Sequence, residues 1–107
     1  MNPNTPRTGS QPPCRRYVVH LSCLREDGQK ACRYIARIRP LAARAVAQVE
    51  VHERIFTDEC ALIETINPLL PSGSDVRDVF SHLESPDGFF YILCLTADQA
   101  RQIGWRA

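Results

Sequence analysis

The stretch VEVHERIFTDECALIETI, Val49–Ile66, decides the fold of this chain because it fits two different structures. As a helix that continues to Asn67, it places apolar side chains at a heptad-like spacing, with the polar residues Glu53 and Asn67 at two of the apolar positions. As a hairpin, it forms two strands around the turn TDE, with Val51 and Ile55 on one face. Seven of its eighteen residues are β-branched, which disfavours a helix and favours strands. The composition therefore predicts the hairpin.

The rest of the chain supplies two more strands and three helices by the spacing of its apolar residues. Alternation predicts a strand in RRYVVHLSCL (Arg15–Leu24), and the apolar run FFYILCL (Phe89–Leu95) is typical of a strand covered on both faces. Apolar residues at helical spacing predict helices over Gln29–Arg39 and Asp75–Glu84. The sequence TADQ, from Thr96, is a capping-box pattern that predicts a short C-terminal helix. If the opening stretch were a helix, only two strands would remain, and a lone pair is marginal in water.

The resulting order, β-α-β-β-α-β with a C-terminal helix, predicts an α+β domain with a ferredoxin-like split βαββαβ sheet and two helices on one face. With REDG (Arg25–Gly28) at the first strand-to-helix junction, the arrangement resembles ACT-type regulatory domains and the subunits of dimeric α/β-barrel proteins. The resemblance to ACT-type domains implies a loop at Asp27 and Gly28 that binds an amino-acid ligand, although this chain lacks the proline that such loops carry. The resemblance to dimeric α/β-barrel proteins implies a small dimeric enzyme.

Composition limits the classes of protein to which the chain can belong. Its 107 residues, 44% hydrophobic and 23% charged, fit one domain over residues 15–107, after a flexible proline-rich tail at residues 1–14. The net charge of +1 argues against a polyanion-binding protein. No apolar run reaches the roughly 18 residues of a membrane span, and the N-terminus lacks the apolar region of a signal peptide. We therefore predict a cytoplasmic protein without membrane contact.

The five cysteines are an odd number and contain no CxxC pair. We predict that they are reduced, and that Cys23 and Cys94 are buried in apolar strands as small hydrophobic residues. A disulfide framework or a structural zinc is the disfavoured alternative, because the spacings fit no known ligand pattern. No cofactor and no metal are predicted.

The predicted sheet leaves one face without helices, and this face is the candidate functional surface. If Tyr17, Val19 and Leu21 pack under the helices, alternation places His20 and Ser22 on the opposite face. The same alternation adds Glu50, His52, Arg54 and Phe56 from the second strand, and one of the aromatics Phe89, Phe90 and Tyr91 from the last. Small domains usually cover such a partly apolar face. We expect a second subunit, a target protein or the C-terminal helix with Trp105 to do so.

Charge is divided unevenly along the chain. Residues 1–54 carry ten Arg and Lys against four Asp and Glu, whereas residues 55–107 carry three against eight. Four of the arginines are expected to form an exposed basic rim: Arg33, Arg37, Arg39 and Arg44. Such a rim suits an acidic protein surface. We therefore predict a non-enzymatic regulatory, adaptor or inhibitor module that binds an acidic protein partner, or itself as a homodimer through the free sheet face. The predicted binding residues are Arg33, Arg37, Arg39, Arg44, Arg54, Phe56, Tyr91 and Trp105.

Two alternatives stand beside this prediction. In the first, His20 or His52 is the general base of a cofactor-free oxygenase or isomerase, oriented by Glu50 or Arg54. A metal site formed by His20, His52 and a carboxylate is a less favoured version of this enzyme alternative. In the second, the arginines of the first helix bind nucleic acid, although no stretch matches the motif of RNA-recognition sheets.

Overall fold

A computed structural model describes residues 13–24, 33–41 and 50–106, which form a four-stranded sheet, three short α-helices and two 3₁₀ helices. The strands are β1 (Cys14–Leu24), β2 (Arg33–Pro40), β3 (His52–Phe56) and β4 (Phe89–Thr96). The α-helices are α1 (Glu59–Ile66), α2 (Phe80–Leu83) and α3 (Ala97–Gln102), and the 3₁₀ helices are Asn67–Leu69 and Val76–Val79. The predicted α+β class is confirmed.

All neighbouring strands run antiparallel, in the order β3-β2-β1-β4. The predicted ferredoxin-like order is wrong, because Arg33–Pro40 is a strand in the region predicted as the first helix, and it pairs directly with β1. Residues 29–32 of that predicted helix, the REDG loop and the predicted tail up to residue 12 lie outside the described residues. The two resemblances rested on the element order and lose their basis with it.

The stretch Val49–Ile66 is neither of the two predicted structures but one strand followed by one helix. Val49 lies outside the described residues, and β3 ends at Phe56. Asp58, predicted to lie in a turn, is the N-cap of α1: its carboxylate accepts a hydrogen bond of 2.8 Å from the backbone N–H of Ala61. An aspartate at this position satisfies one of the free N–H groups of the first turn. The predicted hairpin is therefore wrong.

The core lies between one face of the sheet and the helices. As predicted, Tyr17, Val19 and Leu21 of β1 are buried on this face, with at most 2% of each residue exposed. They belong to one apolar cluster with buried residues of the other elements, including Ile38, Phe56, Leu62, Ile66, Leu83, Leu95 and Ile103. Full burial of one such side chain stabilises a fold by about 1.5–3 kcal/mol. This layer therefore supplies most of the driving force for folding.

Three other predicted elements are present in the structure. The strand predicted over Phe89–Leu95 is β4, and the helix predicted over Asp75–Glu84 appears as a 3₁₀ turn followed by α2, with Asp75 rather than Ser74 as its N-cap. The capping box is confirmed: the Thr96 hydroxyl accepts from the backbone N–H of Gln99, whose side chain accepts from the backbone N–H of Thr96.

A disulfide joins Cys14 of β1 to Cys94 of β4, with 5.8 Å between their Cα atoms. The prediction that both thiols are reduced is wrong, and so is the predicted burial of Cys94, which is exposed. The pairing follows from the register: Cys94 lies opposite Arg16, so Cys14 is its diagonal neighbour on the same face. Cys60 is an exposed free thiol.

Candidate functional site

The face of the sheet opposite the helices, called the free face below, carries the candidate site. Strand alternation and the cross-strand register define its members. In the strands they are Cys14, Arg16, Val18, His20, Ser22 and Leu24 of β1, Arg33, Ile35, Arg37 and Arg39 of β2, Glu53 and Ile55 of β3, and Phe90, Ile92, Cys94 and Thr96 of β4. Leu41 and Val51 continue the alternation just outside β2 and β3.

Exposed apolar side chains are concentrated on the free face. Within the described residues, all six large hydrophobic residues that are exposed lie there: Leu24, Leu41, Val51, Ile55, Phe90 and Ile92. Phe90 and Ile92, neighbours on β4, are the most open at 58% and 61%. Val18, between them and β2, is 6% exposed because the side chains around it cover it. The face is therefore apolar at its centre and along the β4 side.

Arginines surround this apolar surface. The free face carries Arg16, Arg33, Arg37 and Arg39, and Glu53 is the one acidic side chain on its described strand positions. Glu53 lies opposite Arg37, 3.3 Å from its guanidinium. The predicted basic residues thus come together, although on a strand and not on a helix. Arg44, the fourth member of the predicted rim, lies outside the described residues.

An open pocket of about 180 Å³ lies in the middle of the free face. Its lining residues are Val18, His20, Arg37, Arg39, Val51 and Phe90. The walls are mainly apolar, with basic groups at the margin, so the pocket suits an apolar side chain that has a carboxylate beside it.

His20 is on the free face, as predicted, and is held from two sides. Its Nε2–H donates a hydrogen bond of 2.7 Å to the backbone carbonyl of Asp87, and its ring packs against Phe90 with 4.4 Å between ring centroids. Gly88 has a φ of +66°, and a side chain there would collide with the Leu21 carbonyl and with the His20 ring. The loop before β4 therefore fixes the orientation of the imidazole.

His52 lies on the helix side of the sheet, so its predicted place on the free face is wrong. Its Nδ1 accepts a hydrogen bond of 2.8 Å from the backbone N–H of Arg106, and its Nε2–H donates one of 2.9 Å to Glu50. The ring packs on Trp105, with 4.6 Å between ring centroids. Both ring nitrogens are engaged, and they attach the C-terminal segment to β3.

Four further predicted binding residues also lie on the helix side. Phe56 and Trp105 are buried in the core, and Tyr17 packs edge-on against Trp105. Arg54 is exposed, but its guanidinium lies over the Phe56 ring and donates to the Gln102 carbonyl. The two faces of β3 were assigned in reverse because each set of alternate residues in HERIF contains one large apolar side chain that could face the core. Its buried member is Phe56 and its exposed apolar member is Ile55, the reverse of the prediction.

Tyr91, the fourth of these residues, is half-buried at the edge of the helix layer. It packs edge-on against Phe89. Burial raises the pKa of the Tyr91 hydroxyl, and the negative charges of Asp78 and Asp75 raise it further. Its phenol is therefore neutral near pH 7.

Several members of the site were not predicted, among them Val18, Val51 and Ile92. A signal for Ile92 exists in the sequence: the residues FFYILCL are apolar on both alternate faces, so one of the two rows must leave the core if the strand has only one covered face. The position of β4 at an edge of the sheet is a tertiary property, which this run does not encode.

The described residues contain no helix long and apolar enough to span a membrane. Nor do they bring three or more His, Cys, Asp or Glu side chains together in an arrangement suited to a metal ion. Comparisons of the chain with protein-family models, curated proteins and solved structures found no match.

Proposed function

We propose that the chain is a small non-enzymatic binding module, acting as a regulator, adaptor or inhibitor, whose free face binds a protein surface that carries acidic and apolar side chains. The observation that supports this most is that the exposed large hydrophobic residues of the described part share one face of the sheet. A contiguous apolar patch rimmed by polar residues is typical of a protein interaction site.

The charges on the free face favour an acidic partner. Four arginines against one glutamate leave it positive, and the half-exposed Arg37–Glu53 pair spans two strands within the chain. Arginine and aromatic residues are enriched at protein interfaces, and here Arg37 and Arg39 border the same pocket as Phe90. Carboxylates of a partner beside these guanidiniums would steer its approach, and an apolar side chain in the pocket would slow its release.

A comparison of two double variants tests the proposal. Arg16→Glu with Arg39→Glu reverses two charges on the free face, and Arg101→Glu with Arg106→Glu makes the same charge change at exposed positions away from it. Immobilised chains are exposed to an extract of the source cells, and the retained proteins are quantified by mass spectrometry. We expect the free-face variant to lose at least about tenfold of an acidic protein that wild type and control retain, with retention weakening as salt rises.

Equal retention by both variants would contradict the proposal. Retention of RNA or DNA in place of an acidic protein, lost with the same two arginines, would move the face to the nucleic-acid alternative, for which strong salt dependence is the signature.

The enzyme alternative is favoured by one observation, the presence of His20 in the wall of the pocket. Because Nε2 carries the proton donated to Asp87, Nδ1 is the nitrogen left to accept one. His52 lacks this freedom, since both of its nitrogens are bonded. Loss of a turnover activity in His20→Gln, with folding and partner binding intact, would establish the enzyme reading over the binding reading.

The cytoplasmic location stays a prediction. The Cys14–Cys94 disulfide bears on it, because such bonds persist mainly in oxidising compartments. A thiol count on protein freshly released from cells under alkylating conditions tests the location: Cys14 and Cys94 protected from alkylation would favour an oxidising compartment, and their alkylation would favour the cytoplasm.

A further inference from the structure

We propose that two copies of the chain pair through the outer edges of their β4 strands and so form one continuous eight-stranded sheet. The inference is independent of the proposed function, because it concerns an edge of the sheet and a second copy, and not the face and a different protein.

The outer edge of β4 is open within the described part of the chain. β4 pairs with β1 on one side and lies last in the sheet order. No described residue outside the sheet hydrogen-bonds to the backbone of Phe89–Leu95. Every second residue of an edge strand directs its N–H and C=O outward, and such a row is a template for another strand.

The two edges of the sheet differ in their protection against pairing. β3, the opposite edge, has five residues and carries His52, Glu53 and Arg54, and its end is tied to the C-terminal segment by the Arg106–His52 hydrogen bond. Short, charged and covered strands are the usual protection of an edge. β4 has eight residues, FFYILCLT, without a charge or a proline. Within residues 13–24, 33–41 and 50–106, one edge is thus protected and the other is suited to pairing.

The composition of β4 suits pairing with a second copy of the same strand. Phe89–Thr96 carries no charged side chain, so two copies of the strand placed side by side bring no like charges opposite each other. Pairing satisfies the outward N–H and C=O groups of both edges, while Phe90 and Ile92 stay on the free face, where they are exposed in a single copy.

Symmetry fixes the form of this pair. Two adjacent antiparallel strands related by a two-fold axis require the axis to lie normal to the sheet, so the helices of both copies fall on one side. Residues directly opposite each other then share a face, as Tyr17 and Leu93 do within one copy. If the Phe89–Thr96 strands of the two copies overlap over nearly their full length, this condition leaves two registers, in which the axis passes through Ile92 or through Leu93. The free faces of the two copies become one surface, with Phe90 and Ile92 of both copies at its centre.

Two matched variants test this pairing on the purified full-length chain. Ile92→Lys and Ile55→Lys each place one lysine on the free face at an exposed isoleucine, the first on β4 and the second on the opposite edge strand β3. Sedimentation equilibrium measures the molar mass over a dilution series, and thermal unfolding checks that both variants fold.

We expect wild type to reach twice the 12.1 kDa mass of the chain and to dissociate on dilution. Ile92→Lys should raise the dissociation constant at least about tenfold, because apolar contact is lost and two like charges meet near the axis. Ile55→Lys should match wild type. A wild-type chain that stays monomeric at its highest soluble concentration overturns the proposal. An equal loss of the dimer in both variants also overturns it, because that result assigns the contact to the whole free face. A monomeric wild type leaves the expected binding of an acidic partner unaltered.

Discussion

Asp75 shows how a single side chain fixes where an element begins. Its carboxylate accepts hydrogen bonds from the backbone N–H of Arg77 at 2.9 Å, from the Arg77 guanidinium, and from the Asn67 side-chain amide at 3.1 Å. These bonds, that with the guanidinium first, hold the pKa of Asp75 far below its usual range. The same residue caps the 3₁₀ turn at Val76 and ties it to the end of α1.

A pH-dependent loss of stability follows from this depressed pKa. The folded state binds the proton of Asp75 more weakly than the unfolded state, so the stabilisation is complete above the unfolded pKa, about 4, and falls as the pH drops below it. We therefore expect Asp75→Asn to lower Tm at pH 7, and the difference from wild type to narrow below about pH 4. Thermal unfolding across this range measures it, with Asp87→Asn as the charge-matched control. A difference that stays constant with pH would contradict the account.

At single residues, the sequence predicts a helix N-cap where the capping residue and the residue three positions later together form a capping box. The capping box of Thr96 and Gln99 was predicted and is confirmed. Asp58 was missed because it stands alone: no Glu or Gln follows three residues later, and Asp is equally at home in a turn. The local chemistry of Asp58 is the same in both settings, so only the tertiary fold decides between them.

At the scale of elements, β2 is the misprediction with the largest effect. In RYIARIRP the apolar residues Tyr34, Ile35 and Ile38 fit helical spacing, while Tyr34, Ala36 and Ile38 fit strand alternation. The structure selects the second pattern: Ala36 and Ile38 are fully buried and Ile35 lies on the free face. A segment of eight residues is too short for a helical period of about 3.6 residues to be distinguished from a strand period of about 2.

The same ambiguity in β3 and α1 gives a direct test. Leu62 of α1 is fully buried, whereas Ile55 of β3 is half-exposed. We expect Leu62→Ala to reduce the free energy of unfolding by about 2–5 kcal/mol, and Ile55→Ala by less than about 1 kcal/mol. Urea unfolding of both variants measures this. A large loss for Ile55→Ala would place that side chain in the core, as the predicted hairpin does.

At the scale of the whole molecule, the Cys14–Cys94 disulfide joins residues 80 apart in sequence and holds β1 against β4. A cross-link of this span restricts the unfolded chain and typically stabilises a fold by about 2–4 kcal/mol. We expect Cys14→Ser with Cys94→Ser to lose about this much in denaturant unfolding. Cys60→Ser, at an exposed free thiol, is the control and should change little. Wild-type stability that is unaffected by a reductant would contradict this role.

The candidate site was predicted in part, and for a physical reason. Arg33 and Arg37 are four residues apart, a spacing that shares one face of a helix and also one face of a strand, so their clustering survived the wrong element. The apolar half of the site, on β4, depends on which strand lies at the edge. That is decided by pairing across the whole chain, which sequence periodicity does not report.

Site-specific photo-crosslinking in the source cells tests the central claim, that the free face binds a protein partner, most directly. Two variants are compared. The first carries a photoreactive phenylalanine analogue at Val51, which is half-exposed and lines the pocket from the β3 side, and the second carries it at Glu64, which is exposed on α1 in the helix layer. We expect a discrete heavier adduct from Val51, containing an acidic partner protein, and none from Glu64. No adduct from Val51, or the same adduct from both positions, would contradict it.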